Sequence, residues 1–514
     1  MSTATQDNVL YQKAMGSQEL APKPFLKREL LYVIDNNGSP SYERNQVEFE
    51  TSALSTNSNW ASFADAFITM PFVTSVVRSA DHIDAAAGAT YLHMKAGCPI
   101  IDKVSWSYNG DPVIAERDEV AGLVAFKQLT EFSLDDLHVK GEARGYHKDS
   151  NDWSYGVEGL RTDMTELVAN PQWYIDTGRT AVLPSATAQS IGFDTYEYVA
   201  ATHKHVYRKD MKIFLRDLPG FSSFPLTRGG SVKITIRLNQ GSVVRTNTLH
   251  AAAAGGVPDV PASMAVANSL KGSIVPVMVT GDFTTPPTGT TETIKFGIGT
   301  TDGYQCEKKN CRLYIPTVVM EPSAELAYLA QGEKSMVYDD YLFVPSRNNA
   351  QGQFNINLSN SVKRAKALLI IPQLSSASNL GVRPAESLVY PAPSCCSPCA
   401  IADFNVELAG QDIYSKPLQY RFEHFEQELS QGKLGVDSGM EDGVCSSLLT
   451  MKDYNNNFGY LYTDLSRRYD FDSNTNINIA VRGRITSPLA LDFNCYIIFE
   501  KDLSIDITTG AKLV

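Results

Sequence analysis

"VSWSYNGDPVIAERDEVAGLVAFKQL" occupies Val104–Leu129, and three hundred positions later "FNVELAGQDIYSKPLQYRFEHFEQEL" occupies Phe404–Leu429. The two align without a gap, with Gly110 over Gly410, Val113 over Ile413 and Leu129 over Leu429. In the first, Val104, Trp106 and Tyr108 alternate with polar residues, the period-two mark of a half-buried strand. Asn109-Gly110-Asp111 supplies a turn, because glycine takes a positive φ at no steric cost. Val113 opens a second short strand, and Val120, Leu123 and Val124 then fall at i, i+3 and i+4, which predicts a short helix. The later stretch repeats each step. Phe404, Val406 and Leu408 alternate, Gly410 turns, Ile413 and Tyr414 resume, and Leu418, Phe422, Phe425 and Leu429 form one predicted helical face.

Two further pairs follow in the same order. "MKIFLRDLPGFSSFPLTRGGSVKITIRLN" (Met211–Asn239) matches "FGYLYTDLSRRYDFDSNTNINIAVRG" (Phe458–Gly483), with Asp217-Leu218 over Asp464-Leu465 and an alternating strand after each turn-rich segment. "CRLYIPTVVM" from Cys311 matches "CYIIFEKDL" from Cys495 as uninterrupted strands. Three motifs in one order, twice, are an internal duplication into two large units. The first copy carries long insertions in two loops, one holding residues 147–178 and the other residues 250–272 and 283–293. Loops of this length are functional or project outward. "EPSAELAYLAQGEKS" separates the copies and predicts a linker helix, with Pro322 in its first turn and Gly332 near its end. The expected organisation is an arm over 1–24, a first sandwich over 25–320, the linker over 321–334 and a second sandwich over 335–514. "LLYVIDNNGSPSYERNQVEFETS" reads as strand, turn, strand, and the β-branched content and Pro71 of "NWASFADAFITMPFVTSVV" favour a strand there too. The fold class is all-β, two tandem sandwiches of Greek-key or jelly-roll winding, with short helices.

Composition narrows the function. The chain has 514 residues, 43% hydrophobic and 20% charged, which is a globular balance, and its net charge of −12 disfavours sequence-specific nucleic-acid binding. No apolar run reaches the roughly 18 residues of a membrane helix, and the N-terminus lacks a signal pattern. An intracellular protein with free thiols is the expectation.

Catalytic and metal motifs fare poorly. His203 and His205 share a strand face, but an exposed polar strand accounts for them and nothing completes a ligand set. Cys395, Cys396 and Cys399, with Cys306 and Cys311, have the wrong spacing for paired zinc knuckles. Asp135-Asp136 reads as a solvated turn. Arg228-Gly229-Gly230-Ser231 lacks phosphate-loop spacing and precedes a strand. No GxSxG, Cys/His signature or certified carboxylate pair is present. The reading is therefore not an enzyme, with no catalytic, cofactor-binding or metal residue assigned and no cofactor.

The stretches "SYERNQVEFETSALSTNSNWASFADAFITMP", "VSWSYNGDPV", "LTEFSLDD", "LPGFSSFPLTRGGSVKITIRLNQ", "CRLYIPTVVMEPSAELAYL", "LQYRFEHFEQEL" and "YTDLSRRYDFDSNTNINIAVRG…IDITTG" together resemble major capsid proteins of polinton-like viruses and virophage relatives, of the double jelly-roll lineage that includes adenovirus hexon and tectivirus coats. The resemblance covers about residues 25–514 and rests on the order and number of motifs. It implies a structural shell protein with two jelly rolls per chain. Three chains would form a pseudo-hexameric capsomer of an icosahedral virion around double-stranded DNA, with neighbouring capsomers, a penton protein and minor capsid proteins as partners.

Two other readings stand beside it. A duplicated sandwich can hold glycans, for example in host attachment, and Trp153, Tyr155, Trp173 and Tyr174 could stack on sugars. A cupin-type enzyme would need a His/carboxylate metal set around His203 and His205.

Overall fold

A computed structural model of the chain describes residues 24–36, 42, 45–52, 59–78, 91–95, 97–136, 194–199, 202, 204–247, 264–268, 275–280, 291–330, 332–358, 362–375, 401–432, 448–456, 458–466, 476–486, 490–506 and 512–513. Outside this set lie almost all of the arm, His203, the four loop aromatics, Cys395–Cys399, all of 147–178 and most of the second insertion.

The alternating segments become strands that recur in one order. In the first half they are β1 (Phe25–Ile34), β2 (Gln46–Glu50), β3 (Phe67–Arg78), β4 (Ile101–Tyr108), β5 (Asp111–Arg117), β6 (Lys204–Phe214), β7 (Val232–Leu238) and β8 (Arg312–Met320). In the second they are β9 (Glu333–Asn349), β10 (Gly352–Asn357), β11 (Ala365–Leu374), β12 (Ile401–Leu408), β13 (Gln411–Asp412), β14 (Leu461–Asp464), β15 (Ile479–Ile485) and β16 (Leu491–Asp506). One sheet of the first half runs β1-β8-β3-β6 and the other β2-β7-β4-β5; the second half has β9-β16-β11-β14 and β10-β15-β12-β13. Adding eight to each strand number converts one half into the other. Every pairing is antiparallel.

Each half closes over its own core, because alternate residues of both sheets point inward. In the first, Phe49, Val104, Trp106, Ile234 and Ile236 face Ile68, Met70, Phe72, Ile213, Leu313 and Ile315, all buried. In the second, Phe404, Val406, Ile479 and Val481 face Leu368, Ile370, Phe493, Cys495 and Ile497. The aligned glycines do equivalent work: Asn109-Gly110 (φ 50°, 89°) and Ala409-Gly410 (φ 50°, 84°) link β4 to β5 and β12 to β13. Both central residues lie at positive φ, the two-residue hairpin geometry that matches strand twist.

The longer helices among the described residues are α1 (Val120–Glu131), α2 (Pro322–Leu329), α3 (Phe422–Gly432) and α4 (Met451–Asn456), beside single turns of helix at Leu134–Asp136 and Leu215–Asp217. The Glu321 carboxylate caps α2 by accepting from the backbone N–H of Ser323 and Ala324 at 2.9 and 3.2 Å.

Three expectations change. Leu418 lies outside α3 and pairs with Phe404 as an antiparallel bridge, so the helical face begins at Phe422. The second insertion is more than a loop: Thr291–Ile298 pairs with β3, Gly241–Asn247 pairs with that strand, and Met264–Asn268 extends the row. Pro71, which has no N–H to give, sits where β3 changes partner, between Thr69 opposite Arg312 and Phe72 opposite Ile298. His205 is buried at 7% exposure within β6, opposite Val76, rather than solvated.

Candidate interaction surface

The outward faces of the two β1-type sheets carry the same chemistry. In the first half Tyr32 stands directly opposite Tyr314, Tyr314 opposite Phe67, and Phe67 opposite Phe214. This is one row of rings across all four strands, with centroids 5.8, 5.0 and 5.8 Å apart. Cations sit on it: Lys212 Nζ lies 4.0 Å from the Phe67 centroid, Arg216 5.0 Å from Phe214 and Arg312 5.3 Å from Tyr32. The edge strand β1 adds Leu26, Leu30 and Ile34, which with Tyr32 are 43–64% exposed. Isolated exposed apolar residues are ordinary; a contiguous row rimmed by charge marks a contact surface.

In the second half the corresponding row is Phe343, Tyr496, Leu369 and Tyr462, again directly opposed across β9, β16, β11 and β14. Here the face is covered, and α1 of the first half covers it. Phe126 packs on Tyr460 (5.2 Å, edge-on), Tyr462 (6.3 Å, stacked) and Phe425 (6.2 Å). Gly122 permits the approach, since a Cβ there would lie 2.3 Å from the Tyr496 hydroxyl oxygen. Of the twelve residues of α1, ten are buried, as a helix must be when it lies between two sheets.

Polar contacts lock this joint. The hydroxyls of Tyr338, Tyr341 and Tyr496 donate to the carbonyls of Val113, Asp118 and Glu119 at 3.1, 2.9 and 3.1 Å. Burial pushes the Tyr341 and Tyr496 phenols well above their ordinary range, so they stay protonated donors. Arg117 forms a bidentate pair with Asp340, and Lys501 approaches the same carboxylate at 2.8 Å.

The chemistry candidates disperse. Cys306 and Cys311 are buried free thiols, and Cys306 donates to the Phe72 carbonyl at 3.4 Å. Burial pushes the Cys306 thiol up to about 11. Among the described residues no three His, Cys, Asp or Glu side chains form a metal-sized group. Asp135-Asp136 lies in a single helical turn, Leu134–Asp136, rather than the solvated turn its sequence predicts, and Asp136 accepts from the Ser133 hydroxyl at 3.0 Å. Arg228 pairs with Glu325 and lies over Trp60 at 4.8 Å. Sequence reasoning passed over the aromatic row. Its signal is present: Phe214 follows inward Ile213, Tyr314 follows inward Leu313 and Phe67 precedes inward Ile68, so each strand puts an aromatic on its polar parity.

Against solved structures, the chain is similar to a chain of the Sputnik virophage determined by cryo-electron microscopy, at a TM-score of 0.55 over 96% of this chain and 88% of that one, with 12% identity. The chain is a double jelly roll. The sequence-based fold class is thereby borne out. The mavirus major capsid protein is similar at a TM-score of 0.47 and 10% identity, covering 94% of this jelly-roll chain and 89% of that one. The Faustovirus major capsid protein is similar at 0.43 and 11%, covering 97% and 96%. No family model and no curated protein matches the chain. At these identities the likeness is one of fold.

Proposed function

We propose that this protein is the major capsid protein of a double-stranded DNA virus, and that three copies close into a pseudo-hexagonal capsomer of an icosahedral shell. One observation carries the reading: the row on the second jelly roll is covered by α1 of the first, whereas no helix among the described residues covers the equivalent row on the first, whose Tyr32 is exposed. The covering contact is heterologous, one kind of surface against another, and such contacts form rings when the rotation closes. Repeating it between chains would put the α3 side of a neighbour's second roll on the row of the first. The α3 surface exposes Glu423 and Glu426, which complement the rim of Lys212, Arg216 and Arg312. Three chains of two rolls then make six near-equivalent units.

In this reading the chain divides into an arm over 1–24, a first roll over 25–320, a linker over 321–334 and a second roll over 335–514. The protein is structural, not catalytic, and resides in the virion. Its partners are its own copies together with penton and minor capsid proteins. Light scattering on the purified chain, followed by electron microscopy, tests the proposal. A mass three times that of the chain and particles of hexagonal outline are expected; a stable monomer at micromolar concentration would overturn it.

A further inference from the structure

Helix α3 and the two residues before it repeat α1 position by position, and one side of the helix changes its chemistry. In α1, Val120 and Val124 belong to the core of the first roll, whereas Leu123 and Phe126 are buried in the core of the second. The gapless register puts Tyr420 and His424 in the first pair of positions and Glu423 and Glu426 in the second. Tyr420 is buried in the second roll and His424 is half-buried beside it, their ring centroids 5.9 Å apart, so each helix turns the same side toward its own roll. The side with which α1 grips the other roll is, in α3, a pair of exposed carboxylates. Neither forms an ion pair among the described residues.

Leu123 and Phe126 hold their joint by excluding water, which salt does not screen, and the Arg117–Asp340 pair beside them has a fully buried carboxylate. Carboxylates cannot enter a contact in that way, because burial without a cation is costly. The aromatic row of the first roll supplies cations. Lys212 Nζ lies 4.0 Å from the Phe67 centroid and 4.9 Å from that of Phe214, with Arg216 over Phe214 and Arg312 over Tyr32. Arg216 and Arg312 form no ion pair among the described residues, and the Arg312 Nε is buried there without a hydrogen-bond partner. We propose that the joint between copies is ionic where the joint within the chain is apolar. Glu423 and Glu426 of one copy meet Lys212, Arg216 and Arg312 of the next, so ionic strength opens and closes the ring of three while each chain stays folded. The proposal rests on the shell reading and adds to it the force that holds chain to chain.

The test follows the mass of the full chain by light scattering, at about 10 µM, as sodium chloride rises from about 0.1 M to about 1 M and the screening length falls from about 10 Å to about 3 Å. Trimers are expected at the low end, and monomers of unchanged melting temperature at the high end. Glu423→Lys with Glu426→Lys should abolish the trimer at low salt. Both positions are exposed, so this monomer should melt as the native chain does, and it carries the test should the next pair fail to fold. Lys212→Glu with Arg216→Glu should also abolish the trimer. The four substitutions in one chain should restore it, since each reversed helix then meets a reversed row. A native trimer that persists unchanged at about 1 M salt, a trimer in the reversed helix, or a folded fourfold variant that stays monomeric would each overturn the ionic joint and leave the shell reading standing. A native chain that is monomeric at both salt concentrations would overturn both.

Discussion

Arg117 of the first jelly roll and Asp340 of the second meet through two parallel hydrogen bonds, Nε to Oδ1 at 2.7 Å and Nη2 to Oδ2 at 2.6 Å. The carboxylate is fully buried and Lys501 shares it. Burial alone would raise the Asp340 carboxyl, yet Arg117 and Lys501 hold it below its usual 3.8. A depressed folded value contributes stability that is present above the unfolded value and is lost as pH falls through the folded one. Asp340→Asn is expected to cost about 3 kcal/mol at neutral pH, because two cations lose their partner. Urea unfolding at a series of pH values checks it: the gap from the native chain should close below about pH 3.8.

Gly122 and Tyr496 make a coupled pair. Gly122→Ala is expected to destabilise the joint by about 2 kcal/mol, since the new methyl meets the phenol oxygen in a closely packed site. Tyr496→Phe removes that oxygen and leaves the next ring atom 3.2 Å from the methyl position. The double substitution should therefore be less destabilised than the two single losses combined. Strict additivity in a denaturation cycle would show that the contact does not govern the joint.

Ala409 holds φ 50° in the hairpin where the first roll has Asn109 at the same angle. Left-handed backbone costs alanine about 1 kcal/mol, and asparagine tolerates it. Ala409 is exposed, so Ala409→Asn should raise the denaturation midpoint without disturbing packing.

Glu131 gives an opposite pH signature to Asp340. Its folded value, about 7, lies above the ordinary 4.5. Its stabilising effect is thus complete below 4.5 and is lost as pH rises through 7. Glu131→Gln is expected to flatten the fall of melting temperature between pH 4.5 and about 7; an unchanged slope would assign that fall to other groups.

Tyr32→Asp tests the aromatic row of the first roll. Tyr32 is 53% exposed, so the substitution should leave the monomer's melting intact while putting an unpaired carboxylate into any contact made there. Light scattering should show loss of the proposed trimer, and a persisting trimer would place the contact elsewhere.

Local signals settled much of this protein. Strand alternation, the turns at Gly110 and Gly410, and the repeated motif order revealed two related sandwiches, because strand period and positive-φ turns are properties of neighbouring residues. The helix following Val120 was also legible, but its surroundings were not. Only the tertiary structure showed that α1 is buried nearly all round and belongs as much to the second roll's core as to the first. It also showed that Tyr32, Tyr314, Phe67 and Phe214 form one row. Arg117 and Asp340 are 223 positions apart, and no local pattern encodes which distant surface will cover a given face. That choice is made by packing between sheets, after each strand has already been decided.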